Sequence, residues 1–116
     1  MLPKINRIKK KKDFDLIFKK GKSLKTSLLV LKMMKNGFEY NRFAFIISQK
    51  ISKKAATRNK IRRRLSEIIR AHFVGLSDNK DIGTDFVFIG LPGIEKKDFL
   101  EIKNSVKSLL IKSQFN

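Results

Sequence analysis

Lys53-Lys54-Ala55-Ala56-Thr57-Arg58-Asn59-Lys60-Ile61-Arg62-Arg63-Arg64-Leu65-Ser66-Glu67-Ile68-Ile69-Arg70 is at once the best helix-forming stretch of the chain and its densest positive charge. A helix advances about 100° per residue. With Arg58 at zero, Ile61, Leu65, Ile68, Ile69 and His72 therefore fall in one stripe, the pattern of a helix that covers a core. Lys60, Arg63, Arg64 and Glu67 fall opposite and are expected in solvent. Arg58 and Arg62 lie on or beside the apolar stripe at its N-terminal end, where a guanidinium needs a partner. Two arrangements would supply one. Either the helix end overhangs the core and leaves Arg58, Asn59 and Arg62 in an open groove, or the arginines meet buried carboxylates. Glu67 is the one acid between Arg42 and Arg70, so an external anion is favoured, and phosphate matches the planar fork of arginine. The free N–H groups and positive dipole end of the helix favour the same ligand. For Lys60, Arg63, Arg64 and Arg70 a simple solvated face stands as the plain alternative.

The whole chain agrees with an anionic partner. Its 116 residues suit one domain, 1–116, and hold 28 Lys and Arg against 10 Asp and Glu, a net charge of +18 that far exceeds what solubility requires. With no cysteine there is no disulfide, thiolate metal site or cysteine nucleophile, as suits a reducing compartment. Apolar runs such as Leu28-Leu29-Val30-Leu31 are too short to span a bilayer, and Met1-Leu2-Pro3-Lys4 lacks the apolar segment of a signal peptide. A cytoplasmic protein is expected.

Outward from the central helix, residues 1–12 carry Lys4, Arg7 and Lys9 to Lys12 without an acid and predict a basic arm, mobile until it meets phosphate. Asp13 is placed to cap a short helix that Gly21 ends, with Phe14, Ile17 and Phe18 on its apolar face. The two phenylalanines have two readings, core packing or a platform on which unpaired bases stack. Leu24 to Met34 predicts a strand, and the Asn36-Gly37 turn predicts a hairpin with a second strand within Phe38 to Ser48. Leu29, Leu31 and Met33 would share one face; Leu28, Val30, Lys32 and Met34 would share the other, which leaves Lys32 either snorkelling at a sheet edge or lining an anion groove. Phe43, Phe45 and Ile47 oppose Ala44 and Ile46, as in a strand buried on both faces. The central helix is expected over Ala56 to Phe73, a polar mobile loop over Gly75 to Gly83, a buried strand over Asp85 to Ile89, and a last helix over Lys97 to Ser113. Both later helices are then available to cover one sheet.

Enzyme chemistry is hard to find. His72 sits on the apolar stripe and reads as a core or helix-end histidine. No nucleophile elbow, phosphate-cradling glycine loop or carboxylate cluster is present. Asp81 and Asp85 could share a Mg²⁺, but acids flanking a strand are common. No catalytic residue and no protein-held metal is assigned.

The run Ser48-Gln49-Lys50, Lys54-Ala55-Ala56-Thr57-Arg58-Asn59-Lys60-Ile61-Arg62-Arg63 and Ile69-Arg70 with Phe73 closely resembles the signature of the bacterial ribonuclease P protein subunit, most specifically in Arg58-Asn59. The likeness extends to Arg7, Asp13-Phe14, Phe18 and Gly21, to the Asp85–Ile89 strand and to the closing helix. It implies an α/β (α+β) single-domain sandwich: a mixed sheet of about four strands covered by helices, in the order α-β-β-β-α-β-α, with an unusual left-handed βαβ crossover that generic handedness rules do not give. It also implies a catalytic RNA subunit that uses Mg²⁺ to cut the 5′ leader from precursor tRNA, assisted by the protein. Lys50, Lys53, Lys54, Arg58, Asn59, Lys60, Arg62, Arg63 and Arg70 would bind the RNA subunit, while Phe14, Phe18, Val30 and Lys32 would line a leader groove. Related proteins often carry tyrosine where this chain has Lys32, so a phosphate contact would replace a stacking one.

A structural ribosomal or other RNA-binding protein is the chief rival, sharing the charge without needing an exposed aromatic groove. A DNA regulator is weaker, since no few base-reading side chains stand at the helix N-terminus and no dimerisation seam is evident. Membrane binding is disfavoured because the sheet consumes the central helix's apolar stripe. No obligate protein partner is expected.

Overall fold

The computed structural model describes residues 2–72 and 83–114. Its elements run α1 (Lys11–Lys20), β1 (Lys22–Lys25), β2 (Leu29–Lys35), β3 (Arg42–Ile46), α2 (Ala55–His72), β4 (Thr84–Gly90) and α3 (Phe99–Gln114). The three helices and four-stranded mixed sheet make a single α+β domain in the expected order. The expected loop over Gly75 to Gly83 lies, but for Gly83, outside the described residues, as do Phe73 and Asp81.

The strand order β1-β2-β4-β3 departs from the predicted hairpin. Asn36-Gly37 does turn the chain, with Gly37 at φ 78°, but β2 and β3 do not pair. Instead β4 lies between them, antiparallel to β2 and parallel to β3, which reaches it through α2. The cause is visible in β4, where Asp85 to Phe88 are all buried and Ile89 is half-buried: the strand that must be covered on both faces takes the centre. The hairpin forms earlier. Thr26 and Leu29 close a tight turn between β1 and β2, where the Thr26 hydroxyl accepts the Leu28 and Leu29 N–H groups at 3.3 and 3.2 Å.

Each face of the sheet has its own core. Leu29, Leu31, Phe43, Phe86 and Phe88 pack under Ile61, Leu65, Ile68 and Ile69 of α2 and Ile102, Val106 and Leu109 of α3. Phe43 stacks on its register partner Phe86 with ring centres 5.2 Å apart, and Phe45 on Phe88 at 6.0 Å. Burial of these side chains contributes about 1.5–3 kcal/mol each. The opposite face is more thinly covered. There Ile17 of α1, Ile8 and Val87 form a small cluster flanked by Phe14, Met34, Ala44, Ile46 and Ile89.

Two local expectations change near the N-terminus. Residues 2–10 are not a free arm, because Leu2 and Ile8 are buried, Arg7 bridges in parallel to Phe43, and the Ile8 N–H donates to the Phe43 carbonyl at 3.0 Å. The segment thus covers the outer edge of β3, a docking that its charge count conceals. Asp13 is not the cap of α1, which begins at Lys11; it sits in the first turn and faces Arg42. Gly21 does end α1, in an extended conformation (φ −71°), and a Cβ there would collide with the Ile17 carbonyl.

Candidate nucleic-acid interface

The first surface is the N-terminal half of α2 with the connection before it. Ile51, 7% exposed, anchors that connection in the core, and its N–H closes a turn onto the Ser48 carbonyl at 3.0 Å. Lys50, Lys53 and Lys54 are thereby carried outward on a fixed loop, all exposed. Arg58 and Arg62 are half-buried, as the wheel requires, but among the described residues neither meets a carboxylate. Arg58 Nη1 donates to the Ser52 carbonyl at 2.9 Å, and Arg62 donates through Nη2 to the Ile47 carbonyl at 3.1 Å and through Nη1 to Asn59 Oδ1 at 2.7 Å. Carbonyl partners orient each guanidinium without neutralising it, and five donors per fork leave N–H groups for a further acceptor. A positive charge held by neutral dipoles beside open solvent is suited to a phosphate.

Asn59, Lys60, Arg63 and Arg70 are exposed. Lys60 and Arg63 turn away from the Arg58–Arg62 side, while Arg70 lies about 18 Å along the helix from Arg58 at 1.5 Å per residue. They widen the positive surface without joining the cluster. Arg64, expected in solvent, is half-buried and donates to the Lys97 carbonyl at 3.4 Å, tying α2 to the approach of α3.

The second surface lies on the other face of the sheet. Phe14, Phe18, Val30 and Lys32 come to this face: α1 brings the rings and β2 the other two. Phe14 is half-buried against the Ile17 cluster, whereas Phe18 is 42% exposed, with ring centres 6.5 Å apart. The two readings of this pair thus separate, because Ile17 takes the buried position and leaves Phe18 an open ring. Val30 pairs with Ile89, and Lys32 with Val87 and with Ser23 of β1. All of Val30, Lys32, Ile46 and Ile89 are half-buried, so this face presents apolar side chains with the Lys32 ammonium among them. Lys32 lies within the sheet, not at its edge, since β1 continues beyond it.

Several acids are engaged away from the α2 cations. Asp85 and Asp13 are both engaged by Arg42, and Lys97 pairs with Glu101 at 3.5 Å. Glu95 accepts the Gly93 N–H, and Asp98 caps α3 by accepting the Glu101 N–H at 2.8 Å. Among the described residues no three His, Asp or Glu side chains gather as metal ligands, and no helix is long and apolar enough to cross a membrane. The sequence reading missed a further feature: a cleft between residues 4–12 and the Phe38–Tyr40 segment. Its signal was Phe-Glu-Tyr beyond the turn, two aromatics at strand spacing facing a run of lysines.

Comparison with known proteins agrees with this architecture. The family described as Ribonuclease P matches residues 2–114. A ribonuclease P protein component of Clostridium kluyveri is 37% identical over 111 residues, which cover 94% of this chain and 95% of the relative. That of Clostridium botulinum strain 657 is 34% identical over 110 residues, covering 95% and 96%. Among solved structures, the Staphylococcus aureus RNase P protein superposes with a TM-score of 0.81 at 28% identity, covering 93% of this chain and 94% of that one. The Thermotoga maritima RNase P protein gives 0.75 at 33% identity, covering 90% and 94%. The chain belongs to the ribonuclease P protein family.

Proposed function

We propose that this protein binds the catalytic RNA of a ribonuclease P holoenzyme through α2 and the 5′ leader of precursor tRNA through the groove under α1, assisting removal of the leader. The observation that carries the proposal is the pairing state of Arg58 and Arg62, which are oriented by carbonyls and meet no carboxylate among the described residues. Lys50, Lys53, Lys54, Asn59, Lys60, Arg63 and Arg70 extend that surface. Phosphate contacts fix register on RNA without reading sequence, which suits a protein that must sit at one place on a folded partner. On the opposite face, Phe18 offers a ring for an unpaired base, and Lys32 a cation for the adjoining phosphate. One sheet thus presents two RNA surfaces back to back.

Mg²⁺ supplies the hydrolytic chemistry at the RNA. Among the described residues the donor set does not fit a Mg²⁺ site, since Asp13 and Asp85 are both drawn to Arg42 and no three His, Asp or Glu side chains gather, whereas the ion asks for carboxylate oxygens free of competing cations. What the protein contributes is binding and orientation. A cleavage assay with the cognate RNA subunit tests the reading: adding the protein should accelerate cleavage of precursor tRNA at low Mg²⁺. Copurification with ribosomes, and no effect on cleavage, would favour a ribosomal role instead.

A further inference from the structure

The N-terminal segment, the start of α1 and the β2–β3 turn enclose an open cleft of about 380 Å³, within the ~300–1,000 Å³ range of small-ligand clefts. Lys4, Arg7, Lys9, Lys10 and Lys12 line it. On the other wall Phe38 and Tyr40 stack nearly parallel, with ring centres 5.1 Å apart at 9°, and Phe38 remains 42% exposed. The Arg42 guanidinium lies over the Phe38 ring, 5.0 Å from its centre, and orders the stack from within the protein. Asp13, the one acid among the described lining residues, is drawn at 3.4 Å to Arg42, which also lines the cleft, so the acid is spent on that arginine and Arg7 and the four lysines keep the cleft cationic. The Arg7 side chain lines the cleft, and its Nε is buried without a hydrogen-bond partner among the described residues, so the guanidinium is not neutralised from within the protein.

We infer that this cleft binds one unpaired nucleotide of single-stranded RNA, its base stacked on the Phe38–Tyr40 pair and its phosphate held by Arg7 and the surrounding lysines. The combination selects the ligand class. Lysines alone would take any polyanion, and exposed rings alone any apolar surface, but stacked rings beside a cationic wall match a planar base joined to a phosphate. The site is distinct from α2, which packs on the other face of the sheet, and from Phe18, which lies farther along α1. It rests on the RNA-binding reading of the protein and adds a third contact to it.

The chain provides its own reporter, because Tyr40 is its one tyrosine and it has no tryptophan. Ultraviolet emission of the whole protein therefore reads that single ring. A uridine hexanucleotide titrated into the full-length protein should quench the emission to a saturating value. In Phe38→Leu, which keeps an apolar side chain but removes the ring, the quench-defined affinity should fall about tenfold, within the range of one lost stack, with the melting temperature unchanged. Lys9→Gln should lower the salt slope of the quench by about 0.7, as for one single-strand phosphate contact. Binding seen by anisotropy of a labelled hexanucleotide, with Tyr40 emission constant, would overturn the site and leave the RNA-binding reading standing. No binding by either readout would overturn both. Equal quenching by an abasic strand or by polyglutamate would reduce the cleft to a generic polyanion patch.

Discussion

Arg42 grips Asp85 by two parallel hydrogen bonds, Nε to Oδ1 at 2.8 Å and Nη2 to Oδ2 at 2.6 Å, with the aspartate side chain only 3% exposed. The two residues are register partners on β3 and β4, and the same guanidinium reaches Asp13 on α1 at 3.4 Å. Asn36 Nδ2 donates to Asp85 Oδ1 as well, at 2.8 Å. The hydrogen bond that Arg42 donates to Asp85 holds the Arg42 pKa above its ordinary value, against the opposing effect of burial. One cation thus fastens the helix that carries Phe14 and Phe18 to the centre of the sheet.

Removing either partner of that pair strands a buried charge, which typically costs about 3–5 kcal/mol. Asp85→Ala should destabilise by that order in chemical denaturation. The double variant Arg42→Met with Asp85→Leu should recover most of the loss, because an apolar pair of similar volume leaves no buried charge of the pair unmatched, while Asp13 is half-buried and Asn36 keeps the Tyr40 carbonyl. A double variant no more stable than Asp85→Ala would mean that the network matters for more than its charge balance.

Arg58→Ala should weaken binding of the RNA subunit by about tenfold or more, corresponding to the loss of a charge-assisted hydrogen bond worth about 1.5–3 kcal/mol. Arg64 would be a poor control because it contacts the Lys97 carbonyl. Lys103→Ala on α3 serves instead and should cost little. Equal losses in filter binding would show that only total charge counts.

Phe18→Ala should leave unfolding nearly unchanged, since the ring is 42% exposed and outside both cores. A truncated core phenylalanine would cost about 3–5 kcal/mol. Affinity for precursor tRNA should nonetheless fall by about 1–3 kcal/mol if a base stacks there, with mature tRNA unaffected. Lys32→Ala should act through charge and lower the salt slope by about 0.7. Wild-type discrimination between leader-bearing and leaderless tRNA in a folded Phe18→Ala protein would refute the groove.

His72, half-buried at the end of α2, has its pKa lowered first by burial and then by Lys107 of α3. The unfolded chain therefore binds the proton more readily, so the stability that neutral His72 contributes is present above about pH 6.5 and is lost as pH falls through the lower native value. Proton NMR of the imidazole should place its midpoint below 6.5. Thermal melts of His72→Gln should lose part of the acid-side decline.

Much of the fold was legible because apolar periodicity encodes it directly. The α2 stripe of Ile61, Leu65, Ile68 and Ile69 is buried as the wheel required, and the alternation separated Leu31 from Met34 in β2 and Phe43 from Ala44 in β3, as the two cores do; Leu28, expected beside Val30 and Met34, joins the core of Leu31 because β2 begins only at Leu29. Strand order was not legible. Asn36-Gly37 specifies a turn but not what enters beside it, and the pairing of β2 with β4 is decided by residues some fifty positions away. The half-buried setting of Arg58 and Arg62 followed from spacing, but their carbonyl partners did not, because backbone acceptors leave no trace in composition. The docked N-terminal segment was missed for a similar reason: Leu2 and Ile8 are two apolar residues among many lysines, and they gain meaning only beside the edge of β3.

The central position of β4 bears on the order of assembly. During synthesis β1, β2, β3 and the whole of α2 emerge before the strand that must join them, so β2 and β3 each wait with one unpaired edge. The β1–β2 hairpin needs only local contacts, whereas β3 gains its ladder when residues 84–90 arrive. Pairings of such long sequence separation are slow to form, and the exposed edges invite aggregation meanwhile. The mutual repulsion of a chain of net charge +18 counters that hazard. The charge that serves the proposed RNA partner in the native state thus also keeps nascent copies apart, and pulse-labelled hydrogen exchange during refolding should find β3 and β4 becoming protected together.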